Sequence, residues 1–439
     1  MSFSLHELID QLPYAAYAVS LVAVFVIYLR RQKKKHKRSL STLQKATEAG
    51  LTEPPSLHPV IDPNRCLGAG SCVDACPEGD ILGMIHGKAE LIEPTHCIGH
   101  GACKTACPHD AITLVFGTEK RGIDIPFVSP SFETNVPGIF IAGELGGMGL
   151  IRNAIEQGRQ AMEAVRQYKG KVSGHDVVIV GAGPAGFSAS LGAMQHKLRY
   201  VTVEQDSLGG TVSHYPRGKI VMTQPVTLPM VGKVKTRETT KEALLGFWQG
   251  VEKKTGVKIN YKERVEEVTK NGNGFVVKTT RKTYETGAIL LTIGRRGTPR
   301  KLGVPGEELS KVVYRLIDPA QYRNQHVLVV GGGDAALEAA HSIADEPGTT
   351  VTLSYRSDSF SRAKLKNRQK VEERQAANRL RVMLSSNVKT ITEKKVLIEH
   401  EGNSVEIPND GVIICAGGVL PTPFLKKIGI EVETKHGTA

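Results

Sequence analysis

Six of the seven cysteines fall into two copies of one pattern, Cys66-x5-Cys72-x3-Cys76-Pro77 and Cys97-x5-Cys103-x3-Cys107-Pro108. This is the Cys-x2-Cys-x2-Cys-x3-Cys-Pro run that wraps an iron–sulfur cube, with its second cysteine removed both times. Ala69 stands in the first gap and His100 in the second. A short segment that supplies six thiolates must fold around the metal they bind. Zinc is the rival metal, but structural zinc sites show paired Cys-x2–4-Cys spacing. The x5/x3 spacing, the repeat and the trailing proline favour iron–sulfur. Cysteines spaced this way, rather than as a scattered disulfide framework, point to a reducing compartment.

The surrounding residues repeat as well. Asn64-Arg65-Cys66-Leu67-Gly68 echoes Thr95-His96-Cys97-Ile98-Gly99, and Pro77-Glu78-Gly79-Asp80-Ile81 echoes Pro108-His109-Asp110-Ala111-Ile112. Over residues 59–116 the chain therefore resembles the bacterial two-cluster ferredoxins. That resemblance implies one cluster on Cys66, Cys72 and Cys107 and another on Cys97, Cys103 and Cys76, the last cysteine of each run serving the other cluster. Each cluster is then one thiolate short. Ala69 cannot coordinate, so the first site is expected to hold a 3Fe–4S cluster, or a 4Fe–4S cluster with another group on its fourth iron. At the second site His100 is either an imidazole ligand or a polar loop residue beside another three-iron cluster.

A length of 439 residues fits about three domains. The net charge of +13 would suit nucleic acid, but Arg30, Arg31, Lys33, Lys34, Lys35, Lys37 and Arg38 supply seven positive charges in nine residues. Without that run the body is only mildly basic, and nucleic-acid binding is not expected. The run closes an 18-residue apolar stretch, Leu12–Leu29, interrupted only by Ser20 and three tyrosines. As a helix this stretch rises about 27 Å, enough to cross a hydrocarbon core. The first ten residues carry Glu7 and Asp10 and no Lys or Arg, unlike a secretory signal peptide. The positive-inside rule then predicts a single-pass protein of a bacterial inner membrane, N-terminus outside and catalytic part cytoplasmic, with the basic run near anionic lipid. Residues 1–38 are read as anchor and 39–58 as a tether.

Val177-Val178-Ile179-Val180-Gly181-Ala182-Gly183-Pro184-Ala185-Gly186 is a strand running into a G-x-G-x-x-G turn and a helix, where a dinucleotide pyrophosphate meets backbone amides. Glu204 ends the next strand, 23 residues after Gly181, where a carboxylate holds the adenosine ribose. Ser207-Leu208-Gly209-Gly210-Thr211, Gly294, and Val304-Pro305-Gly306-Glu307 follow. On these motifs, residues 118–439 resemble the thioredoxin-reductase family of flavin-dependent pyridine-nucleotide oxidoreductases. The resemblance implies FAD, with Gly210 and Thr211 near the isoalloxazine. Such enzymes end in a Pro-Gly-hydrophobic-Ala-Gly-Asp segment whose acid binds the flavin. Here the matching segment, Val136-Pro137-Gly138-Ile139-Phe140-Ile141-Ala142-Gly143-Glu144, precedes the first fingerprint, with Glu144 for the usual Asp. The flavin domain thus resembles a circular permutation joined to the ferredoxin-like module.

Val327-Leu328-Val329-Val330-Gly331-Gly332-Gly333-Asp334-Ala335-Ala336 is a second fingerprint, with Ala336 as its third small residue. The following strand ends in Tyr355 and Arg356, with Arg362 nearby, rather than in a carboxylate. Arginine suits the 2′-phosphate of NADPH and disfavours NADH. Thioredoxin reductases carry a redox Cys-x-x-Cys just before this fingerprint; in the register set by Tyr322-Arg323-Asn324-Gln325 its positions hold Tyr314 and Ile317. The bacillithiol-disulfide reductases use a cysteine where this chain has Ala185. The remaining cysteine, Cys415, lies in an apolar run and reads as core. Disulfide reduction needs a placed thiolate.

The expected architecture is α/β: two Rossmann-like domains, a small α+β ferredoxin-like domain and one transmembrane helix. Its bounds are 59–116 for the cluster domain, 117–170 for the displaced flavin segment, 174–300 for the FAD domain, 301–408 for the NAD(P) domain and 409–439 for the return to the FAD domain. The expected activity is a membrane-anchored NAD(P)H:acceptor oxidoreductase. It would move electrons between NADPH and an electron carrier or membrane redox protein through FAD and two clusters, without a general acid or base. A disulfide-reductase-like enzyme and a non-catalytic redox sensor are the alternatives. Relatives of this kind are often homodimers.

Overall fold

The computed structural model describes residues 5–48, 50–54, 56–147, 149–168, 170, 174–215, 218, 220–222, 225–234, 238–361 and 363–438. It divides into two compact units: His58–Val115 with the N-terminal helix, and Phe116–Thr438.

In the first unit the sequence repeat becomes a structural one. The outer strands His58–Ile61 and Ile112–Val115 pair antiparallel, and Leu82–Ile85 forms a hairpin with Lys88–Leu91. Each cysteine run enters a four-residue helix, Ser71–Asp74 or Ala102–Thr105. Left-handed glycines precede both helices, Gly70 at φ 75° and Gly101 at φ 76°, because the chain must reverse sharply between the first and second cysteine. Cys66, Cys72 and Cys103 share the small core with Leu82, Ala89, Ala111 and Ile112.

The first part of the expected tether, 39–58, is helical as far as Glu48. A single helix runs Leu5–Glu48, and its last turns dock on the hairpin. Ser39 and Ala46, seven residues apart on one face, are buried. Gly83 leaves room for the helix: a Cβ there would stand 2.6 Å from Ser39 Oγ. His36 meets His86 edge to face at 4.9 Å, and Arg38 pairs with Asp80. Among the described residues no helix is long and apolar enough to cross a membrane, so the structure does not support the expected transmembrane helix. The apolar run meets Arg30 and Arg31 directly. What the helix does show is an exposed apolar sleeve, with Tyr17, Val19, Leu21 and Phe25 all at least 59% exposed.

In the second unit the first sheet has seven strands. Tyr200–Glu204, His175–Val180 and Thr283–Leu291 lie side by side and parallel, and Ile139–Ile141 pairs parallel to Thr283–Leu291. The segment ahead of the first fingerprint therefore completes the sheet that the fingerprint begins. Its helix Ile151–Gln167 packs on the fingerprint helix Pro184–Gln195 at a glycine, since a Cβ on Gly158 would come within 2.1 Å of the Ala185 carbonyl. The chain's last strand, Val432–Lys435, pairs with Ile123–Pro126, where the displaced segment starts. Late and early residues thus meet as the permuted order requires.

The second sheet orders Val312–Val313, Gly411–Ile414, His326–Val330, Thr350–Ser354 and Leu380–Met383, all parallel. Gly411–Ile414 therefore belongs to the nucleotide domain, not to the returning segment that was expected to begin at residue 409. Val412 and Ile413 are fully buried there, as an apolar run in a two-sided parallel sheet should be. The return begins with Gly418–Val419, which pairs with Thr298–Pro299.

Gly158→Val is expected to destabilise the second unit by about 1–3 kcal/mol through forced separation of the two helices. Gly250→Ala, on a helix face with nothing within 4 Å, is expected to be neutral or stabilising. Urea unfolding checks both; equal midpoints would contradict the packing described.

Candidate functional site

The six ferredoxin-type cysteines are thiols without disulfides; Cys66, Cys72, Cys97 and Cys103 are buried, Cys76 and Cys107 half-buried. Their mutual electrostatics sort them into two trios. Burial pushes the Cys72 thiol up, and the charges of Cys107 and Cys66 push it further. Burial also raises Cys97 and Cys103, with Cys76 adding to both. Each trio thus takes two cysteines from one half of the repeat and one from the other. Backbone amides offset this: N–H groups of Val73, Gly99 and Lys104 favour the thiolates of Cys72, Cys97 and Cys103, and Ala111 N–H points at Cys107 Sγ at 3.4 Å. Among the described residues no three His, Cys, Asp or Glu converge on a single ion. Thiolates that cap different irons of one cluster need not converge on a single point. Ala69 is exposed, whereas His100 lines a cavity with Cys76, Cys97 and Cys103. Its Nε2 lies 3.7 Å from Glu78 Oε1.

In the second unit the residues expected around FAD come together from three stretches of sequence. Gly181 turns at φ 105°, and a Cβ on Gly186 would sit 1.9 Å from the Gly181 carbonyl, so helix and strand approach as only glycine permits. A Cβ on Gly183 would have no neighbour nearer than 3.9 Å, leaving an open cradle at the N-terminus of Pro184–Gln195. That is the fit an incoming pyrophosphate requires. A Cβ on Gly210 would stand 3.2 Å from Gly183 Cα, and Gly210 and Thr211 open the short helix Gly210–His214. A Cβ on Gly143 would stand 3.1 Å from Ala185 Cβ, and the Gly143 N–H donates to Gln157 Oε1 at 2.9 Å. Glu144 carries its carboxylate to within 3.7 Å of the Cβ position of Gly294. Glu204 is buried, and burial pushes its carboxyl up; Oε2 accepts the Ala182 N–H at 2.7 Å and Oε1 the Asp206 N–H at 2.8 Å.

Three residues here escaped the sequence reading. Gln157 orients Gly143. Tyr215 and Arg295 both feel the charge of Glu144, and burial lowers Arg295 while Glu144 opposes the shift. Only the doubled arginine Arg295-Arg296 after Gly294 could have drawn attention to this charge pair.

At the second fingerprint Gly331 adopts φ 141°, and a Cβ would meet the Cys415 carbonyl at 2.4 Å. Ala336 is fully buried beneath it, and Gly333 faces open space. Asp334 Oδ1 accepts from Lys364 N and Asn367 Nδ2, both at 2.8 Å, bracing the turn. Tyr355 stacks on Phe360 at 5.7 Å and covers Gly332. Arg356 is exposed at the end of the strand Thr350–Ser354; Arg362 lies outside the described residues. Cys415 has its thiol pushed up to about 11 by burial, which suits packing and not catalysis. Tyr314 donates to Glu307 at 2.9 Å and Ile317 is exposed, so the positions of a redox dithiol carry no sulfur.

Residues 178–438 match the pyridine nucleotide-disulphide oxidoreductase family, and residues 58–108 match the 4Fe-4S dicluster domain. The ferredoxin–NADP reductase of Ignicoccus hospitalis is 30% identical over 270 residues, 60% of this chain and 83% of that protein. The bacilliredoxin reductase of Bacillus subtilis is 28% identical over 59% of this chain and 82% of its own length. The bacillithiol disulfide reductase structure from Bacillus cereus superposes with TM-score 0.50 at 25% identity, covering 58% of this chain and 82% of that one. Such relatives are NAD(P)H-dependent oxidoreductases. The chain belongs to the pyridine nucleotide-disulphide oxidoreductase family and carries a 4Fe-4S dicluster domain ahead of it.

Proposed function

We propose that the protein passes electrons between NADPH and a one-electron acceptor through FAD and two iron–sulfur clusters, each 4Fe–4S or 3Fe–4S. One observation carries this reading: six thiols gather in two trios within the cluster domain, while the dithiol positions beside the nucleotide site hold Tyr314 and Ile317. The ferredoxin–NADP reductases among the similar proteins support the same direction of chemistry. A bound flavin supplies the conversion between hydride and single electrons.

The chain's own residues hold and orient the partners. Gly181, Gly183 and Gly186 with the helix start at Pro184 receive the FAD pyrophosphate, with Ala185 packed beneath. Glu204 exchanges its Ala182 contact for a ribose hydroxyl, and Gly143 and Glu144 close over the flavin from the displaced segment. Gly331, Gly333 and Ala336 cradle NADPH, with Arg356 at its 2′-phosphate. Cys66, Cys72 and Cys107 hold one cluster, and Cys97, Cys103 and Cys76 hold the other, with His100 at the second vacancy. The exposed sleeve of the N-terminal helix seats in the bilayer with the basic run at cytoplasmic headgroups. Anchoring keeps the enzyme near a membrane-bound acceptor.

Steady turnover with an artificial one-electron acceptor is expected to favour NADPH over NADH. Arg356→Ala should lower kcat/KM for NADPH about tenfold, as loss of one charge-assisted phosphate contact worth about 1.5 kcal/mol predicts, and leave NADH nearly unchanged. Thiol release from disulfides under NADPH should stay at background, also in Cys415→Ser. NADPH-driven thiol release with no cluster-dependent acceptor activity would overturn the reading in favour of disulfide reduction.

Membrane seating is tested by flotation with anionic vesicles. The full chain should float, and Val24→Lys with Phe25→Lys should release it. Equal flotation of both proteins would contradict the anchor.

A further inference from the structure

The two vacant ligand positions are where the halves of the repeat cease to be alike. Ala69 and Glu78 in the first half correspond to His100 and His109 in the second. Because each run's last cysteine serves the opposite trio, the residue two places later lands beside the opposite vacancy. Glu78, two residues after Cys76, does so: its Oε1 lies 3.7 Å from His100 Nε2, within ion-pair range. Both side chains line the cavity bounded by Cys76, Cys97 and Cys103. The Glu78 side chain is 44% exposed, at the rim of that cavity, and the His100 side chain is 25% exposed. Gly99 and Gly101, at φ 77° and φ 76°, flank His100 and fix the loop on either side of it. Ala69 sits between the equivalent glycines, Gly68 and Gly70, with no side chain to offer.

We propose that Glu78 is a positioning residue that holds His100 as the fourth ligand of the cluster on Cys76, Cys97 and Cys103, so that the two clusters are chemically unlike. The inference rests on the cluster reading above. A carboxylate on one imidazole nitrogen fixes the tautomer and ring orientation of a metal-bound histidine. With Nε2 on the Glu78 side at 3.7 Å, Nδ1 is the nitrogen left for iron, and a bound cluster would draw the pair into hydrogen-bond range. Neutral imidazole in place of thiolate removes one negative charge from the ligand set, which raises the reduction potential of that cluster. Glu78 returns a negative charge at short range and moderates the rise. The first cluster keeps an open iron or lacks that iron.

The test uses the full chain, purified anaerobically with its clusters, with and without 15N-histidine labelling. Pulsed electron paramagnetic resonance of the reduced protein should show a strong nitrogen coupling that changes with the label and disappears in His100→Ala. Glu78→Gln should retain iron and sulfide, weaken that coupling and raise the potential of one cluster while the other stays put. A purely structural carboxylate would leave coupling and potential alone, and that result overturns the proposal. So does a loaded wild-type protein without a histidine coupling. If His100→Ala does not load, the transplant Ala69→His with His109→Glu decides: a second histidine coupling is expected, and a fully loaded variant without one overturns the inference. Iron-free wild-type protein would instead overturn the cluster reading itself.

Discussion

The crossed trios of thiols set the terms for the first unit. Burial alone raises Cys72, Cys97 and Cys103, and their like-charged neighbours add to the cost of ionising them. If the thiols ionise on binding iron, as the proposed function requires, metal binding and folding of this unit would be coupled. The backbone is arranged for the ionised form, with amides aimed at the sulfurs from both short helices. Each trio takes its cysteines from both halves of the repeat, so under the proposed function a bound cluster would tie the halves together. The docked end of the N-terminal helix then rests on a hairpin, Leu82–Ile85 with Lys88–Leu91, whose own packing includes those cysteines.

In the second unit, segments far apart in the sequence share one sheet, and the segment ahead of the first fingerprint lies beside the strand that follows it. Parallel pairing makes order along the chain irrelevant once the strand lies in place: Ile139–Ile141 needs only Thr283–Leu291 beside it. Gly143 and Glu144 then arrive at the fingerprint turn whichever side of it they occupy in the sequence. Glycines at the contacts carry the precision, since Gly158 and Gly186 each allow backbone approaches that one methyl group would forbid.

Much of this was legible in the residues. The two fingerprints are local patterns whose turn geometry follows from spacing, whereas the crossed cysteine trios and the role of the Gly143-Glu144 segment came from resemblance to known families. The errors came where the signal was not local. Residues 39–48 read as a tether because their apolar positions are few; Ser39 is buried only because Gly83 lacks a side chain, forty-four residues on. Gly411–Ile414 was assigned to the wrong domain because an apolar run does not say which sheet it enters. The nearness of Glu78 to His100 is not legible locally because it depends on a cross-over between halves, although its repeat-mate being His109 marks the asymmetry. The stretch Leu12–Leu29 reads as spanning from its apolar residues alone, but no described helix is long and apolar enough to cross a membrane.

The account stands on electrons leaving the nicotinamide by way of metal clusters. The most direct measurement is anaerobic titration of the holoprotein with substoichiometric NADPH, following flavin absorbance and cluster paramagnetism together. The account predicts that the flavin bleaches only transiently and that reducing equivalents come to rest on the clusters. A flavin that stays reduced beside oxidised clusters, within the time of steady turnover, would contradict it.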